Sequence, residues 1–201
     1  MKKGFTLIEI VVVLSIVLLL IAILVPTIEK NIGDAKKARA TSDVQTLAQA
    51  IIQFRNDVLQ WPAKTNTGDP AALLVGTQPN VDTARIPPAS GGDPSFNWNR
   101  TPAETIYFQL INPGLPSPTV YPYVNPNPHN YPSWNGPYVN EIKLDPWGFA
   151  YLVNVAYLEG GSSPDSTRHV WVISGGPNSL METPFDGSSN PGGDDIAVPL
   201  Q

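Results

Sequence analysis

The first sixty residues carry the clearest pattern of hydrophobic and polar positions in the chain. Between Phe5 and Val25 every side chain is apolar except three, which are Thr6, Glu9 and Ser15. As a helix rising about 1.5 Å per residue, this run spans about 31 Å, close to the hydrocarbon core of a bilayer. It is longer than the apolar part of an ordinary secretory signal, and no small-residue cleavage site follows it. The pattern therefore predicts a membrane-spanning helix.

After Pro26 the pattern becomes that of an amphipathic helix. Apolar residues recur at steps of three and four between Thr27 and Asp57, with charged residues between them. We expect one helix from about Phe5 to about Leu59, interrupted only at Pro26, which lacks an amide hydrogen. Pro62 prevents the helix from continuing, because the residue before a proline avoids the helical region. The amphipathic half, residues 26–60, is predicted to pack against a globular head.

Residues 61–137 are rich in proline, glycine, asparagine and threonine and have no sustained periodicity. We interpret them as a loop-rich variable region with short helices at about Pro70–Val75 and at Thr101–Leu110, where a capping-box spacing begins the second helix. This region also contains aromatic residues among its prolines. Surfaces of this kind can bind glycans or peptides, but no binding motif accompanies them, so we expect these side chains to pack the loops. The aromatic residues among the prolines are Tyr121, Tyr123, Tyr131 and Trp134.

Residues 138–201 combine strand patterns with an acidic end. The segments Phe149–Ala156 and Val170–Ile173 are rich in aromatic and β-branched residues, which is typical of strands. Asp145-Pro146-Trp147-Gly148, just before them, has the composition of a turn. The whole pattern predicts an α+β protein in which a long N-terminal helix packs against a small antiparallel β-sheet with long loops.

Charge and composition exclude several classes of function. The net charge is −5 and there is no cysteine, so we expect no nucleic-acid partner, no disulfide and no thiolate metal site. The two histidines, His129 and His169, do not have the spacing of a metal pair. The chain contains no nucleophile elbow, phosphate-binding loop or dinucleotide-binding motif. We therefore expect a protein that is not an enzyme.

Glu9 is the unusual residue of the apolar run. A carboxylate in lipid is costly and by default marks a functional site. Near the basic start, the only small-residue junction is Gly4–Phe5. Cleavage there would create an amine on Phe5 one helical turn before Glu9, so the two groups could pair within a chain or between neighbouring chains. The alternative is a glutamate that reaches the edge of the membrane.

The sequence Lys-Lys-Gly-Phe-Thr-Leu-Ile-Glu at residues 2–9, followed by the apolar run, resembles the class III signal of type IV pilins and type II secretion pseudopilins. The resemblance implies that residues 1–4 are a leader, that a prepilin peptidase cleaves after Gly4, and that it N-methylates Phe5. It also implies that Glu9 guides the docking of subunits and that the helix softens near Pro26. Many type IV pilins have a glycine earlier in the apolar run, and this chain has none there.

Two later motifs narrow the resemblance. Gly136-Pro137-Tyr138-Val139 and Asp145-Pro146-Trp147-Gly148 resemble a paired signature of the major pseudopilin G family of type II secretion systems. This implies a type IV pilin-like fold and a homopolymer, the periplasmic pseudopilus filament that drives protein secretion. The alternative is a type IV pilin or minor pilin acting in adhesion, motility or DNA uptake.

The pseudopilin resemblance also implies partners and a location. The partners would be a prepilin peptidase, minor pseudopilins, an inner-membrane assembly platform with its cytoplasmic ATPase, and the lipid bilayer before assembly. The chain would cross the inner membrane once, with its C-terminal domain in the periplasm, before it joins an extracytoplasmic filament.

The C-terminal segment is acidic and rich in glycine, serine and asparagine. It resembles the calcium-binding loop of pseudopilin G, which also ends in an acidic pair followed by isoleucine, although this loop is longer and richer in proline. Ca²⁺ takes six to eight oxygen ligands, and glycines let backbone carbonyls turn inward. The alternative is an acidic, solvated tail. In order of preference, the ligands that the resemblance implies are Asp194, Asp195, Asp186, Asn178 and the backbone of Ser174.

Overall fold

The computed structural model of the protein describes residues 4, 6–112 and 134–200. The chain forms two compact units, Met1–Ala38 and Arg39–Gln201. The first helix, α1 (Leu7–Val58), contributes residues to both units. Among the described residues, α1 is the one helix that is long and apolar enough to cross a membrane, judged by length and composition.

In the first unit, the apolar side chains of α1 are exposed. The expected interruption at Pro26 is wrong, because α1 continues through this residue. A proline removes one backbone donor, and the turns on either side keep their own hydrogen bonds. The hydroxyl of Thr27 donates to the carbonyl of Ile23 at 3.3 Å, so the helix gains a side-chain hydrogen bond beside the proline.

The second unit contains a five-stranded sheet. Its strands are β1 (Leu73–Val75), β2 (Ala103–Thr105), β3 (Leu152–Val153), β4 (Trp171–Ser174) and β5 (Ile196–Pro199). The order across the sheet is β2-β1-β3-β4-β5. The three pairs from β1 to β5 are antiparallel, as expected, but β1 and β2 are parallel, so the sheet is mixed.

Tertiary pairing replaces one of the two predicted short helices and shortens the other. The expected helix at Pro70–Val75 is wrong, since its end forms β1, whose three residues are all buried. A short apolar run does not distinguish a buried strand from a buried helix. The expected helix at Thr101–Leu110 begins late: β2 comes first, and the second helix, α2, spans Ile106–Leu110.

The capping of α2 differs from the prediction for the same reason. Thr105, rather than Thr101, caps α2 by accepting a hydrogen bond from the backbone of Tyr107 at 3.1 Å. Glu104, expected to complete a capping box, is buried and accepts from the backbone of Asn66 at 2.7 Å. Residues that local capping chemistry would have placed in a helix therefore form β2, which pairs with β1.

Two hydrophobic clusters are built around the sheet. The first contains the buried side of α1 within the second unit, so the predicted packing of residues 26–60 against the head is confirmed from Val44 to Val58. The second gathers Ile86 and Trp98 from the loop-rich region with Met181 and Phe185 from the C-terminal loop. The α1 residues of the first cluster are Val44, Leu47, Ala48, Ala50, Ile51, Phe54 and Val58.

Candidate functional site

The start of α1 is closed by a reciprocal pair of side chains. The backbone N–H and the hydroxyl of Thr6 donate to Glu9 Oε2 at 2.8 and 2.7 Å, and the backbone N–H of Glu9 donates to Thr6 Oγ1 at 3.4 Å. This arrangement is a capping box, which satisfies backbone donors at a helix start. The role of Thr6 was missed from the sequence, although the Thr-Leu-Ile-Glu spacing carries the signal.

The processing residues are placed only in part. Gly4 is exposed, and among the described residues no atom lies within 4 Å of where a side chain on it would stand. Phe5 lies outside the described residues, so its cleavage, its methylation and its pairing with Glu9 stay predictions. Pro26 is exposed on α1, and its role in assembly also stays a prediction.

The acidic pair at the start of β5 lies in a hydrogen-bonded loop, not in a solvated tail. Asp195 Oδ2 accepts from the backbone of Glu182 at 2.9 Å, the backbone of Thr183 at 2.7 Å and the hydroxyl of Thr183 at 2.6 Å. Asp194 Oδ2 accepts from the backbone of Asn178 at 3.1 Å. The loop after β4 and the start of β5 are therefore joined through these two carboxylates.

Each of the two carboxylates also has one oxygen that accepts no hydrogen bond within the described part of the chain. Among the described residues, Asp194 Oδ1 and Asp195 Oδ1 are buried and make no hydrogen bond. Burial raises the pKa of Asp195 to about 6, against the opposing effect of the hydrogen bonds from Thr183 and Glu182. Burying an acceptor or a charge without a partner is costly, so these two oxygens are where a cation would stabilise the loop.

Two further residues complete the surroundings of the acidic pair. Glu182 Oε2 accepts from Asn178 Nδ2 at 3.0 Å and from the backbone of Asp194 at 3.1 Å. Gly176 has φ +64°, and a Cβ there would lie 2.2 Å from the carbonyl oxygen of Asp194. Sequence reasoning missed Glu182, because the length of the loop hides which of its acids folds back onto the pair.

The other predicted ligands have different partners. Asp186 Oδ2 accepts from Arg168 Nη1 at 3.1 Å, and its Oδ1 accepts from the backbone of Ser188 at 3.0 Å. Hydrogen bonding from the side chain of Ser188, followed by its backbone N–H and the charge of Arg168, holds the pKa of Asp186 below its usual value against the opposing effect of burial. Across residues 6–112 and 134–200, no group of three or more His, Cys, Asp or Glu side chains is placed to hold a metal ion. The acidic pair therefore offers two carboxylates to a cation, and Asp186 is already paired with an arginine.

Asp145 links the predicted turn to the sheet. Its Oδ1 accepts from the backbone of Trp147 at 3.0 Å and of Phe149 at 2.8 Å, which confirms the turn. Its Oδ2 accepts from the hydroxyl of Ser174 at 2.7 Å, and that hydroxyl accepts in turn from the backbone of Gly176 at 3.3 Å. Ser174 was predicted to bind the ion through its backbone. In the structure its side chain supports the turn instead.

The aromatic residues of the loop-rich region are only partly described. Trp134 donates from Nε1 to the carbonyl of Gln109 at 3.0 Å, and its ring lies edge-on to that of Tyr138 at 5.6 Å. For Trp134 this confirms a role in packing. The remaining residues of the prediction, Tyr121, Tyr123 and Tyr131, lie outside the described residues, as does His129.

Comparison with known proteins finds a family model that matches the N-terminal motif and relatives whose similarity covers more than half of the chain. Residues 1–25 match the family model described as a prokaryotic N-terminal methylation motif. The chain is 30% identical over 116 residues to type II secretion system core protein G of Escherichia coli (strain K12), covering 56% of this chain and 74% of that protein. No solved structure gives a significant match.

Two further relatives carry the same name, type II secretion system core protein G. The protein from Pectobacterium carotovorum subsp. carotovorum is 32% identical over 117 residues, covering 56% of this chain and 69% of the relative. The protein from Pseudomonas aeruginosa is 26% identical over 170 residues, and this alignment covers 85% of the chain and 95% of the relative. The similarity thus extends well beyond the N-terminal motif.

Proposed function

Because the chain belongs to the type II secretion system core protein G family, we propose that it is the structural subunit of a pseudopilus filament that drives protein secretion. The observation that carries this proposal is the N-terminal methylation motif at the start of an apolar helix, together with sequence similarity to core protein G that continues beyond this motif. These relatives favour a secretion pseudopilin over an adhesive or DNA-uptake pilin. The role is structural and not enzymatic.

Maturation is proposed to begin at the Gly4–Phe5 junction, of which Gly4 is exposed. A prepilin peptidase removes residues 1–4 and N-methylates Phe5. The capping box places the carboxylate of Glu9 in the first turn of α1, at the end where the new amine is created. Pairing of the amine with Glu9 then neutralises the acid in an apolar environment and gives identical helices a common register.

The exposed apolar face of α1 supports the proposed location. Residues 5–25 hold the subunit in the inner membrane as a single span, with the C-terminal domain in the periplasm. The same face is covered either by lipid before assembly or by other copies of α1 in a homopolymer, where Pro26 allows local adjustment of the helix. Minor pseudopilins, the inner-membrane platform and its cytoplasmic ATPase complete the proposed set of partners.

A second part of the proposal is that the C-terminal loop binds Ca²⁺. The buried, unpartnered oxygens of Asp194 and Asp195 fit a hard cation that prefers carboxylate ligands. Asn178 lies beside Asp194, to which its backbone N–H donates, and its side-chain amide oxygen accepts from the backbone of Leu180 at 2.8 Å. When bound, the ion would supply positive charge beside the one buried oxygen of each carboxylate. These residues would hold it, and Asp186, which pairs with Arg168, would not.

Deletion of the gene tests the secretion role. We expect exported proteins to accumulate in the periplasm, and the parent chain to restore their release. A Gly4→Ala variant is expected to stay unprocessed and to fail in complementation, whereas Gly33→Ala, at an open position of α1, is expected to be processed and to secrete. Normal secretion after deletion, with lost adhesion or DNA uptake, would refute the pseudopilin proposal.

Thermal unfolding of the full chain in detergent tests the Ca²⁺ proposal. We expect Ca²⁺ to raise the melting temperature of the parent above its value in chelator, and this rise to disappear in Asp194→Asn and Asp195→Asn. Asp186→Asn is the matched control and is expected to keep the rise. A parent that melts at the same temperature with and without Ca²⁺ would remove the site.

A further inference from the structure

Part of the loop-rich region lies directly against the C-terminal loop. The backbone of Met181 donates to the carbonyl of Pro88 at 2.8 Å, and the backbone of Ser90 donates to the carbonyl of Met181 at 2.9 Å. Further along, the backbone of Phe185 donates to the carbonyl of Ser95 at 3.0 Å. Three backbone hydrogen bonds therefore join residues 88–95 to residues 181–185, the stretch that precedes the acidic pair.

Trp98 makes the most direct connection to the acidic pair. Its side chain is 0% exposed, its Nε1 donates to the carbonyl of Thr183 at 2.8 Å, and its ring lies edge-on to Phe185 at 5.3 Å. Thr183 is also fully buried and holds Asp195 Oδ2 through both its backbone N–H and its hydroxyl. A continuous path of hydrogen bonds thus runs from the Trp98 indole through one residue to a candidate ligand.

We infer that Trp98 is a positioning residue for the proposed cation site, which it preforms by fixing Thr183 and, through it, the carboxylate of Asp195. This inference rests on the proposed Ca²⁺ site. A ligand held in place before binding loses little conformational freedom when the ion arrives, so the affinity is higher. Partners that orient metal ligands from behind contribute in this way to the affinity.

The hydrogen bonds from Trp98 to Asp195 restrict a loop whose own sequence favours conformational freedom. The C-terminal loop is long and contains several glycines and prolines, so a chain of this composition has much freedom to lose on folding. The hydrogen bond from Trp98 satisfies a carbonyl next to the two donors that hold Asp195. Without the indole N–H, that buried carbonyl loses this partner, and the residue Thr183, which orients Asp195, is less constrained.

The test measures Ca²⁺ binding by the full chain in detergent, using isothermal titration calorimetry after removal of metal with chelator. Trp98→Phe keeps an aromatic ring in the second cluster and removes the indole N–H. We expect it to raise the Kd for Ca²⁺ about tenfold, the lower end of what such partners contribute. Trp134→Phe is the matched control, since it also removes an indole-to-carbonyl hydrogen bond, and we expect its Kd to stay within about twofold of the parent.

A second pair of variants keeps the test valid if Trp98→Phe does not fold. Thr183→Val removes the hydroxyl that holds Asp195 while keeping the shape, and we expect it to raise the Kd. Thr183→Ser restores a hydroxyl at the same place, and we expect it to bind Ca²⁺ as the parent does. If Thr183→Val and Thr183→Ser bind Ca²⁺ with the same Kd, the hydroxyl does not position Asp195 and the inference is overturned.

The outcomes separate the inference from the proposal on which it rests. If Trp98→Phe lowers the melting temperature in chelator but leaves the Kd unchanged, Trp98 is only a packing residue and the inference is overturned, while the Ca²⁺ site stands. If the parent itself releases no heat with Ca²⁺ and melts at the same temperature in chelator, the Ca²⁺ site and the inference are both overturned.

Discussion

Asp145→Ala removes a carboxylate on which three donors converge. The backbone N–H groups of Trp147 and Phe149 and the hydroxyl of Ser174 all donate to this side chain, which is only 4% exposed. The first two hydrogen bonds hold the turn after which β3 begins, and the third ties this turn to β4. Alanine has no acceptor, so all three donors lose their partner at once.

The magnitude follows from the number of donors and their burial. A buried donor left without a partner costs about 1–3 kcal/mol, and the half-buried backbone groups can recover part of this from water. We therefore expect Asp145→Ala to lower the free energy of unfolding by about 3–5 kcal/mol. For a unit of this size, each kcal/mol lowers the melting temperature by about 2–4 °C, so the expected decrease is at least about 6 °C.

Tryptophan fluorescence and circular dichroism of the full chain in detergent measure this decrease. Asp145→Asn keeps an oxygen for the two backbone donors, and its amide can donate to the Ser174 hydroxyl. We therefore expect its free energy of unfolding to fall by only about 1 kcal/mol. Asp82→Ala is the control at an exposed position, where the carboxylate accepts from Ala84 at 3.0 Å. Asp145→Ala melting within about 2 °C of the parent would refute the reasoning.

Three further changes test other positions. Gly176→Ala places a Cβ against the carbonyl of Asp194 at a residue with φ +64°, so we expect the free energy of unfolding to fall by about 2 kcal/mol or more. An unchanged melting temperature in thermal unfolding would contradict this. Leu59 has φ +57° just after α1 and is 70% exposed, so Leu59→Gly relieves about 1 kcal/mol of backbone strain, and a lower melting temperature speaks against this. Burial, with a hydrogen bond to Asp43 at 2.8 Å, raises the pKa of Tyr151. The stability that this shift contributes is complete below the unfolded pKa of about 10 and is lost as the pH rises above it, because only the unfolded state then ionises readily. Tyr151→Phe should therefore flatten the alkaline slope in denaturant unfolding between pH 9 and pH 11, and an unchanged slope argues against the shift.

The candidate site was predictable where its chemistry is contiguous in the chain. Asp194 and Asp195 are adjacent and precede an isoleucine, as in the pseudopilin G loop, so the resemblance implied both as ligands, and the structure places Asn178 beside Asp194. The resemblance implied Asp186 as a further ligand, but an arginine brought near by the fold pairs with it. Glu182 escaped prediction, since nothing local to it shows that the loop folds back onto Asp194.

The same division applies to the fold. Helix α1, its apolar span and the N-terminal methylation motif could be predicted from the amino-acid sequence, because helical periodicity, length and a short motif are properties of neighbouring residues. Three features became visible in the fold alone: Leu73–Val75 is a strand, its pair with β2 is parallel, and Trp98 contacts the C-terminal loop. The physical reason is that strand pairing and buried hydrogen bonds join residues distant in the chain, and the free energy of those contacts outweighs weak local preferences.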